Sequence, residues 1–393
     1  MTFPVRLGRA RAKAAMALAL TGLATAAVAA LAAPASAATD AATHGHFPDR
    51  ASHAVFVQTD NTAGNQVVAY HRSGSGNLTL AGTYSTGGNG GQLTGSVVDH
   101  LASQGSLQYD ARQRLVIAVN AGSNTVSVFW AFGDRLVLRQ VISSGGTFPV
   151  SVAIHGNLVY VVNALNGGSI QGYRLFFGRL FPLSGSNRPL NLDPAATPQF
   201  TNTPGQVAFS PSGSQLIVTT KANGNDIDVF GIGANGRPSA SAVVNSEPGT
   251  VPFAIAFDQA GHLVIANAGT NALSTFALGS DGTVTLIDSV GTGQAATCWV
   301  AAAAGTLFAS NAGSANISGY TSSASGQLTL LGQTSTDPGT VDAAATPGGK
   351  FLYVQTGGNG IVDEFSVGSD GSLTSVGSVT VANAAGGEGI AAG

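Results

Sequence analysis

Cysteine and charge are both scarce in this chain of 393 residues. Cys298 is the single cysteine, so no internal disulfide can form and stability must come from buried surface. Its apolar context, ATCWVAAA, favours a buried, inert thiol over a reactive one. Charged residues make up 9% of the chain, and the formal net charge is −3 at pH 7. Such a chain is not typical of proteins that bind nucleic acid or anionic lipid.

Sequence signatures of the common catalytic and metal centres are missing as well. No G-x-S-x-G, H-E-x-x-H, Walker A or paired-cysteine pattern occurs. Residues 231–236 match G-x-G-x-x-G, but Arg237 and Pro238 follow, which indicates a turn rather than a dinucleotide-binding loop. The Gly-Ser-Asp-Gly turns at 279–282 and 368–371 lack further spaced carboxylates, which favours hairpins over calcium loops. We therefore predict neither a cofactor nor a metal site.

The N-terminus has the pattern of a secretory signal peptide. Four cations precede an apolar stretch at 14–33, and Pro34-Ala35-Ser36-Ala37 supplies an A-x-A cleavage pattern. We predict a signal peptide over 1–37, a flexible lead-in over 38–52 and a secreted protein without membrane insertion after cleavage. A retained membrane anchor is the alternative. The cleaved chain would keep 12 Lys and Arg residues against 19 Asp and Glu residues.

Seven aromatic residues recur, each closing a short strand-like run. They are Tyr70, Phe129, Tyr173, Phe230, Phe276, Tyr320 and Phe365. In most copies the aromatic follows nine residues after an apolar run such as HLVIAN or TLFASN. Gly, Asn and Asp turns separate the runs, and no helical period longer than two turns appears after the leader. Such recurrence predicts a blade-like repeat array with four strands in each copy.

The first copy is incomplete, and the end of the chain contains the piece that it lacks. AVFVQT has no first strand before it, whereas residues 387–392 resemble a first strand with nothing after it. We predict an all-β, seven-bladed β-propeller over 53–393, with the C-terminal strand completing the first blade. A sandwich plus a second domain is the alternative.

The meander topology also assigns the loops to faces. The connections into first strands and the second-to-third turns lie on one face, which we call the mouth face. The long insertions 85–104 and 184–203 fall on this face, where extra chain can lie across the channel.

Three segments carry a resemblance to a known family. VNAGSNTVSVF (119–129), VNALNGGSIQGYRL (162–175) and the strand and turn at 204–213 resemble the lactonase family of seven-bladed propellers, of the 6-phosphogluconolactonase-like or YVTN type. The resemblance covers about 53–393. It implies hydrolysis of a sugar lactone at the channel mouth, with a histidine and basic residues orienting the ester. Ser151 and Gln206 stand where active members tend to carry a P-x-His histidine, and neither side chain titrates like imidazole.

Candidate site residues follow from the mouth-face assignment. His100, Asp342 and Glu388 are the predicted catalytic groups, because a carboxylate or imidazole there would activate water. Ordinary loop or rim residues are the alternative for all three. The predicted ligand-binding residues are Gln104, Ser151, Gln206, Lys221 and Asp226. Lys221 is interpreted as replacing the Asn or Thr of the repeat.

Two functions remain open from the sequence. One is a secreted lactonase-like hydrolase acting on a small lactone or carbohydrate. The other is a non-catalytic propeller that binds a glycan, peptide or protein on its loop-rich face. The ligand and the oligomeric state stay open.

Overall fold

A computed structural model describes residues 53–393, and the predicted signal peptide and lead-in lie outside this range. The described chain forms 29 β-strands with two short 3-10 turns. No helix in this range is long and apolar enough to cross a membrane.

The strands form seven antiparallel sheets, which we number as blades 1 to 7 in chain order. Blade 1 contains β1 (Ala54–Gln58), β2 (Gln66–Arg72) and β3 (Leu78–Ser85). Blade 2 contains β4 (Leu107–Asp110), β5 (Leu115–Asn120), β6 (Thr125–Phe132) and β7 (Arg135–Ser143). Blade 3 contains β8 (Pro149–His155), β9 (Leu158–Asn163), β10 (Ser169–Phe176), β11 (Arg179–Pro182) and β12 (Arg188–Pro189). Blade 4 contains β13 (Gln206–Phe209), β14 (Gln215–Thr219), β15 (Asp226–Gly231) and β16 (Val243–Ser246). Blade 5 contains β17 (Pro252–Phe257), β18 (Leu263–Asn267), β19 (Ala272–Leu278) and β20 (Val284–Gly291). Blade 6 contains β21 (Thr297–Ala303), β22 (Thr306–Asn311), β23 (Asn316–Ser322) and β24 (Leu328–Ser335). Blade 7 contains β25 (Thr340–Ala345), β26 (Phe351–Thr356), β27 (Ile361–Val367) and β28 (Leu373–Thr380).

The last strand, β29 (Ile390–Ala392), closes the ring as predicted. It pairs antiparallel with β1, with Val57 opposite Ile390 and Phe56 opposite Ala391. β29 also contacts β4 of blade 2 and β25 of blade 7. The first strands of all seven blades therefore follow one another around a closed circle, which protects their edges.

The repeated aromatic residues form the packing between blades. All seven are buried, with 0 to 3% of their surface exposed. In five blades a β-bulge lies immediately before the aromatic residue on the third strand. A bulge adds local twist and re-aims the side chain. Full burial of each aromatic contributes about 1.5–3 kcal/mol, so the repeat reflects packing rather than chemistry.

The Asn or Thr of the repeat has a structural role of its own. The amides of Asn120, Asn267 and Asn311 donate to serine hydroxyls on the neighbouring third strand at 2.8–2.9 Å. The strand register places Thr220 at this position in blade 4, because Leu216 faces Phe230 as Leu263 faces Phe276. The assignment of Lys221 to the Asn or Thr position was therefore wrong by one residue.

The position after the repeat Asn or Thr is small in five blades and charged in two. The small residues are Ala121, Ala164, Ala268, Ala312 and Gly357. The charged residues are Asp60 and Lys221, with φ angles of 51° and 55°. Two blades thus present a charged side chain at the mouth where the others present a methyl group or a hydrogen.

The second insertion begins later than its sequence suggests. Arg188 and Pro189 pair with Ile170 and Ser169, so this segment extends the outer edge of blade 3. The polar composition of 184–189 concealed this strand.

Candidate functional site at the mouth face

The first insertion covers the mouth of the channel. We call residues 86–106 the plug. The His100 amide donates to the Gly386 carbonyl at 2.8 Å, and the Gln104 amide donates to the Gly205 carbonyl at 3.1 Å. The Gln104 side chain reaches Val300 in blade 6, where its amide donates to the carbonyl and its oxygen accepts from the N–H, both at 2.9 Å. The plug is therefore tied to opposite sides of the ring.

Glycine in blade 7 makes room for the plug. A Cβ at Gly357 would collide with the carbonyl oxygen of Val98. Gly357 occupies the small position of the repeat, and in this blade even alanine would not fit against the plug. The prediction that insertion 85–104 crosses the channel mouth is confirmed.

Asp99 organises the plug from within. Its carboxylate accepts hydrogen bonds from the backbone N–H groups of Leu101, Ala102 and Ser103 at 2.8–2.9 Å. These bonds hold the turn that carries Ala102 at a φ of 48°. Trp299 adds a further tie, because its indole N–H donates to the Ser103 carbonyl at 2.7 Å.

Asp342 and Glu388 meet beneath the plug. Glu388 accepts from the Gly105 N–H at 2.9 Å, and the Ser103 hydroxyl lies 3.3 Å from its other oxygen. Asp342 accepts from the Ile390 N–H on the strand that follows Glu388, at 3.4 Å. Burial and the neighbouring carboxylate raise the pKa of Glu388, and burial raises that of Asp342 to about 6. Both side chains are buried, so the pair is shielded from solvent.

His100 lies at the edge of this carboxyl network. Its ring packs on Gly386, and its buried Nδ1 has no hydrogen-bond partner among residues 53–393. Burial lowers the pKa of His100, which keeps the imidazole neutral near pH 7. Asp60 in turn accepts from the Glu388 amide at 2.8 Å, and burial raises the pKa of Asp60 to about 8. The three predicted catalytic residues thus lie close together beneath the plug, where the carboxylates of Asp342 and Glu388 accept backbone hydrogen bonds.

The predicted ligand-binding residues occupy different places. Ser151 Oγ accepts from the Val207 N–H at 3.3 Å, and Gln206 Oε1 accepts from the Ile255 N–H at 2.6 Å. Each side chain thereby joins the first strand of its blade to that of the next blade. Asp226 begins the third strand of blade 4 and accepts from the Ser246 hydroxyl on the fourth strand. It therefore lies outside the channel.

A pocket of about 290 Å³ opens beside the plug, and we call it the mouth pocket. Its walls come from the plug, the second insertion and blades 4, 5 and 6. The apolar lining includes Val98, Ala102, Phe200, Val251, Phe253, Ala268, Trp299 and Ala312. Phe253 and Trp299 form an edge-to-face pair with ring centroids 5.1 Å apart. Two charged residues, Asp99 and Lys221, also line it.

Lys221 joins both insertions at the pocket wall. Its Nζ donates to the Ala102 carbonyl of the plug at 2.6 Å and to the Phe200 carbonyl of the second insertion at 2.7 Å. The ammonium group also lies 5.2 Å from the centroid of the Phe253 ring. Burial lowers the pKa of Lys221 to about 7, while the negative charge of Asp99 opposes this shift. Burial likewise raises the pKa of Asp99 to about 7, although its three N–H donors and the positive charge of Lys221 act to lower it.

Cys298 lies in the wall of the same pocket. Its side chain is half-buried rather than fully enclosed by the core. Desolvation nevertheless raises the thiol pKa to about 12, so the thiol stays protonated at neutral pH. Over residues 53–393, no group of three or more His, Cys, Asp or Glu side chains is arranged to hold a metal ion.

Sequence reasoning missed Asp60 and Asp99 as members of the site. Asp60 occupies the same repeat position as Lys221, which a stricter alignment of the seven copies would have revealed. Asp99 stands next to the selected His100, but only the folded plug shows that Asp99 lines the pocket.

Known structures with this architecture include lactonase-like propellers. The periplasmic gluconolactonase of Pseudomonas aeruginosa superposes with a TM-score of 0.67 at 17% identity, over 86% of this chain and 98% of that chain. A Bacteroides fragilis protein provisionally assigned as a 6-phosphogluconolactonase gives a TM-score of 0.67 at 18% identity, over 86% and 97%. Virginiamycin B lyase from Staphylococcus aureus gives 0.52 at 14% identity, over 74% and 89%.

These similarities establish the fold as that of the lactonase-like seven-bladed propellers. At such identities they do not establish an activity, and the propeller scaffold is shared by a hydrolase and a lyase. No protein-family profile matches the sequence, and no curated protein matches it.

Proposed function

We propose that this protein is exported and binds a small lactone with a mainly apolar body in the mouth pocket, where its ester is hydrolysed. The observation that supports this most is the placement of Lys221 and Asp99 on the wall of an otherwise largely apolar pocket. The gluconolactonase of similar fold makes a lactone the natural class to test first. The signal-peptide pattern at 1–37 is the basis for export.

In the proposed reaction, Asp99 and Lys221 have complementary roles. Asp99 accepts a proton from water as the oxygen adds to the ester carbonyl carbon, and the Lys221 ammonium stabilises the oxyanion. The ring C–O bond then breaks and the leaving oxygen takes the proton back from Asp99. The product is the open hydroxy acid. A carboxyl pKa raised to about 7 makes Asp99 a stronger base than an ordinary aspartate.

Binding without turnover is a second candidate. Lys221 already donates to two carbonyls, and Asp99 already accepts three N–H bonds. The buried carboxyl groups of Asp342 and Glu388 lie under the plug rather than on the pocket wall. These contacts are compatible with a rigid site that holds a ligand and leaves it intact.

Hydrolysis assays on residues 38–393 separate the candidates. The substrates are δ-gluconolactone, 6-phosphogluconolactone and the alkyl lactone δ-decalactone, with ligand binding measured in parallel by calorimetry. We expect turnover of the alkyl lactone, a loss of 10²–10³-fold or more in Asp99→Asn and Lys221→Met, and near-normal rates in the matched control Lys350→Met. Binding without turnover would support the second candidate. No binding and no turnover with any lactone would refute both.

A further inference from the structure

The face opposite the mouth carries an aromatic and basic patch that the proposed function does not use. The third-to-fourth turns lie on this face, because the second-to-third turns lie on the mouth face. In blades 2 and 3 these turns carry phenylalanine at Phe132, Phe176 and Phe177. The corresponding turns of the other five blades, at 73–77, 232–237, 279–283, 323–327 and 368–372, contain no aromatic residue.

The phenylalanines of these two hairpins point into solvent. Phe177 is 80% exposed, Phe176 is 63% exposed and Phe132 is 54% exposed. Phe181 on β11 is 50% exposed and adds further apolar surface. We call this set the basal patch. Contiguous exposed apolar surface of this kind marks an interaction site more often than scattered single residues do.

The backbone at the tip of blade 3 is not one that phenylalanine favours. Phe177 and Gly178 form a two-residue hairpin loop with φ angles of 46° and 67°. Asn-Gly is the usual solution for such a loop, since a bulky residue at positive φ is strained. Folding alone would therefore favour asparagine at 177, and the phenylalanine points to a role outside the fold.

Contacts between blades 2 and 3 hold the basal patch rigid. The Gln140 side chain on β7 donates to the Leu180 carbonyl at 3.0 Å and accepts from the Leu180 N–H at 2.7 Å. Gly178 packs against the Trp130 indole with no room for a Cβ. The Arg139 guanidinium stacks 3.8 Å from the centroid of the same indole. The two hairpins therefore form one preformed platform.

Positive charge is concentrated around the same platform. Blades 2 and 3 (residues 107–189) carry seven arginines against two acids, Asp110 and Asp134. The rest of the chain after the predicted leader has five cations and 17 acids. Arg135 and Arg179 flank the two hairpin tips and are exposed. A cationic surface repels a second copy of itself and attracts an anionic one.

We propose that the basal patch docks this protein onto a membrane surface rich in anionic phospholipid. Protruding phenylalanines at two adjacent hairpin tips would insert at the headgroup boundary, and the flanking arginines would contact lipid phosphates. The low overall charge of the chain argued against anionic lipid binding at the level of composition. The local excess of arginine on blades 2 and 3 reverses that expectation for this surface.

Vesicle co-sedimentation of residues 38–393 tests the proposal. Vesicles of phosphatidylcholine alone are compared with vesicles that also contain phosphatidylglycerol. We expect binding to the mixed vesicles only, weakened by added salt. Phe132→Ser with Phe177→Ser should reduce partitioning about tenfold per phenylalanine, and Arg135→Gln with Arg179→Gln about fivefold per arginine. The matched controls Leu286→Ser, 52% exposed on blade 5, and Lys350→Gln on blade 7 should bind as wild type.

Several outcomes would overturn the proposal. One is the absence of binding to mixed vesicles by a protein with wild-type thermal melting. Another is binding that the phenylalanine changes leave intact and that soluble polyphosphate reproduces, since this would be charge attraction without insertion. A third is a dimer in size-exclusion chromatography that Phe177→Ser dissociates, since the patch would then be an interface between copies.

Discussion

Lys221→Met should destabilise the protein, because it removes the cation that joins the two insertions. The Ala102 and Phe200 carbonyls would lose their donor, and Asp99 would lose its neighbouring positive charge. Each buried carbonyl left without its donor costs about 1–3 kcal/mol. Methionine keeps the side-chain volume, so loss of packing adds little. We therefore expect the free energy of unfolding to fall by about 2–6 kcal/mol.

Urea unfolding at pH 7, near the pKa of both Lys221 and Asp99, measures this loss by tryptophan fluorescence. The exposed lysine of blade 7 supplies the control, and Lys350→Met should stay within about 0.5 kcal/mol of wild type. Asp99→Asn combined with Lys221→Met should cost less than the sum of the single changes by about 1–3 kcal/mol. A Lys221→Met protein within about 1 kcal/mol of wild type, or strictly additive changes, would refute the charge coupling.

Four further predictions concern the ring, the buried acid, the thiol and the proposed reaction. Truncation of residues 389–393 removes β29 and should lower the melting temperature and cause aggregation in size-exclusion chromatography; unchanged melting would contradict ring closure. The folded state holds the Asp60 proton more tightly than the unfolded chain does, with a pKa of about 8 against 3.8, so Asp60 makes stability fall as pH rises between these values. Asp60→Asn should flatten this slope in denaturant titrations at pH 5 and pH 8.5, and an unchanged slope would rule out Asp60 as its source. With its pKa raised from 9.0 to about 12, Cys298 should react with iodoacetamide at pH 8 roughly 1000-fold more slowly than free cysteine, and a rate within tenfold of free cysteine would contradict its desolvation. Lactone turnover should follow a bell-shaped pH profile centred near pH 7, because Asp99 must be ionised and Lys221 protonated; a rate that keeps rising to pH 10 would exclude Lys221 as a cation.

The sequence predicts the fold because every repeat shows the same local pattern of strands, turns and an aromatic residue. Seven aromatic residues, from Tyr70 to Phe365, recur as buried inter-blade residues. The repeat Asn or Thr ends the second strand in five blades and directly follows it in blades 1 and 4. The strand near Ile390 was recognisable because the first copy lacked its partner. These features depend on the local residue pattern and on the number of strands in each copy, and both can be read from a single sequence.

The site was harder to predict because it depends on contacts between distant segments. Lys221 meets Ala102 across 119 positions of sequence, and Gln104 meets Val300 across 196. Glu388 and Asp342 are buried, and Glu388 accepts from Gly105 of the plug. Packing against distant blades determines whether an insertion leaves the channel open or fills it. No local sequence pattern predicts this packing.

The mouth pocket, and not the channel beneath the plug, is the proposed ligand site. Trp299 lines that pocket, and Trp130 is the other tryptophan of the chain. In a Trp130→Phe background, titration with δ-decalactone should change the Trp299 fluorescence saturably. Ala312→Phe, which fills the pocket, should abolish the change, whereas Glu388→Gln should preserve it. A fluorescence response that survives Ala312→Phe, or that only Glu388→Gln removes, would contradict the claim.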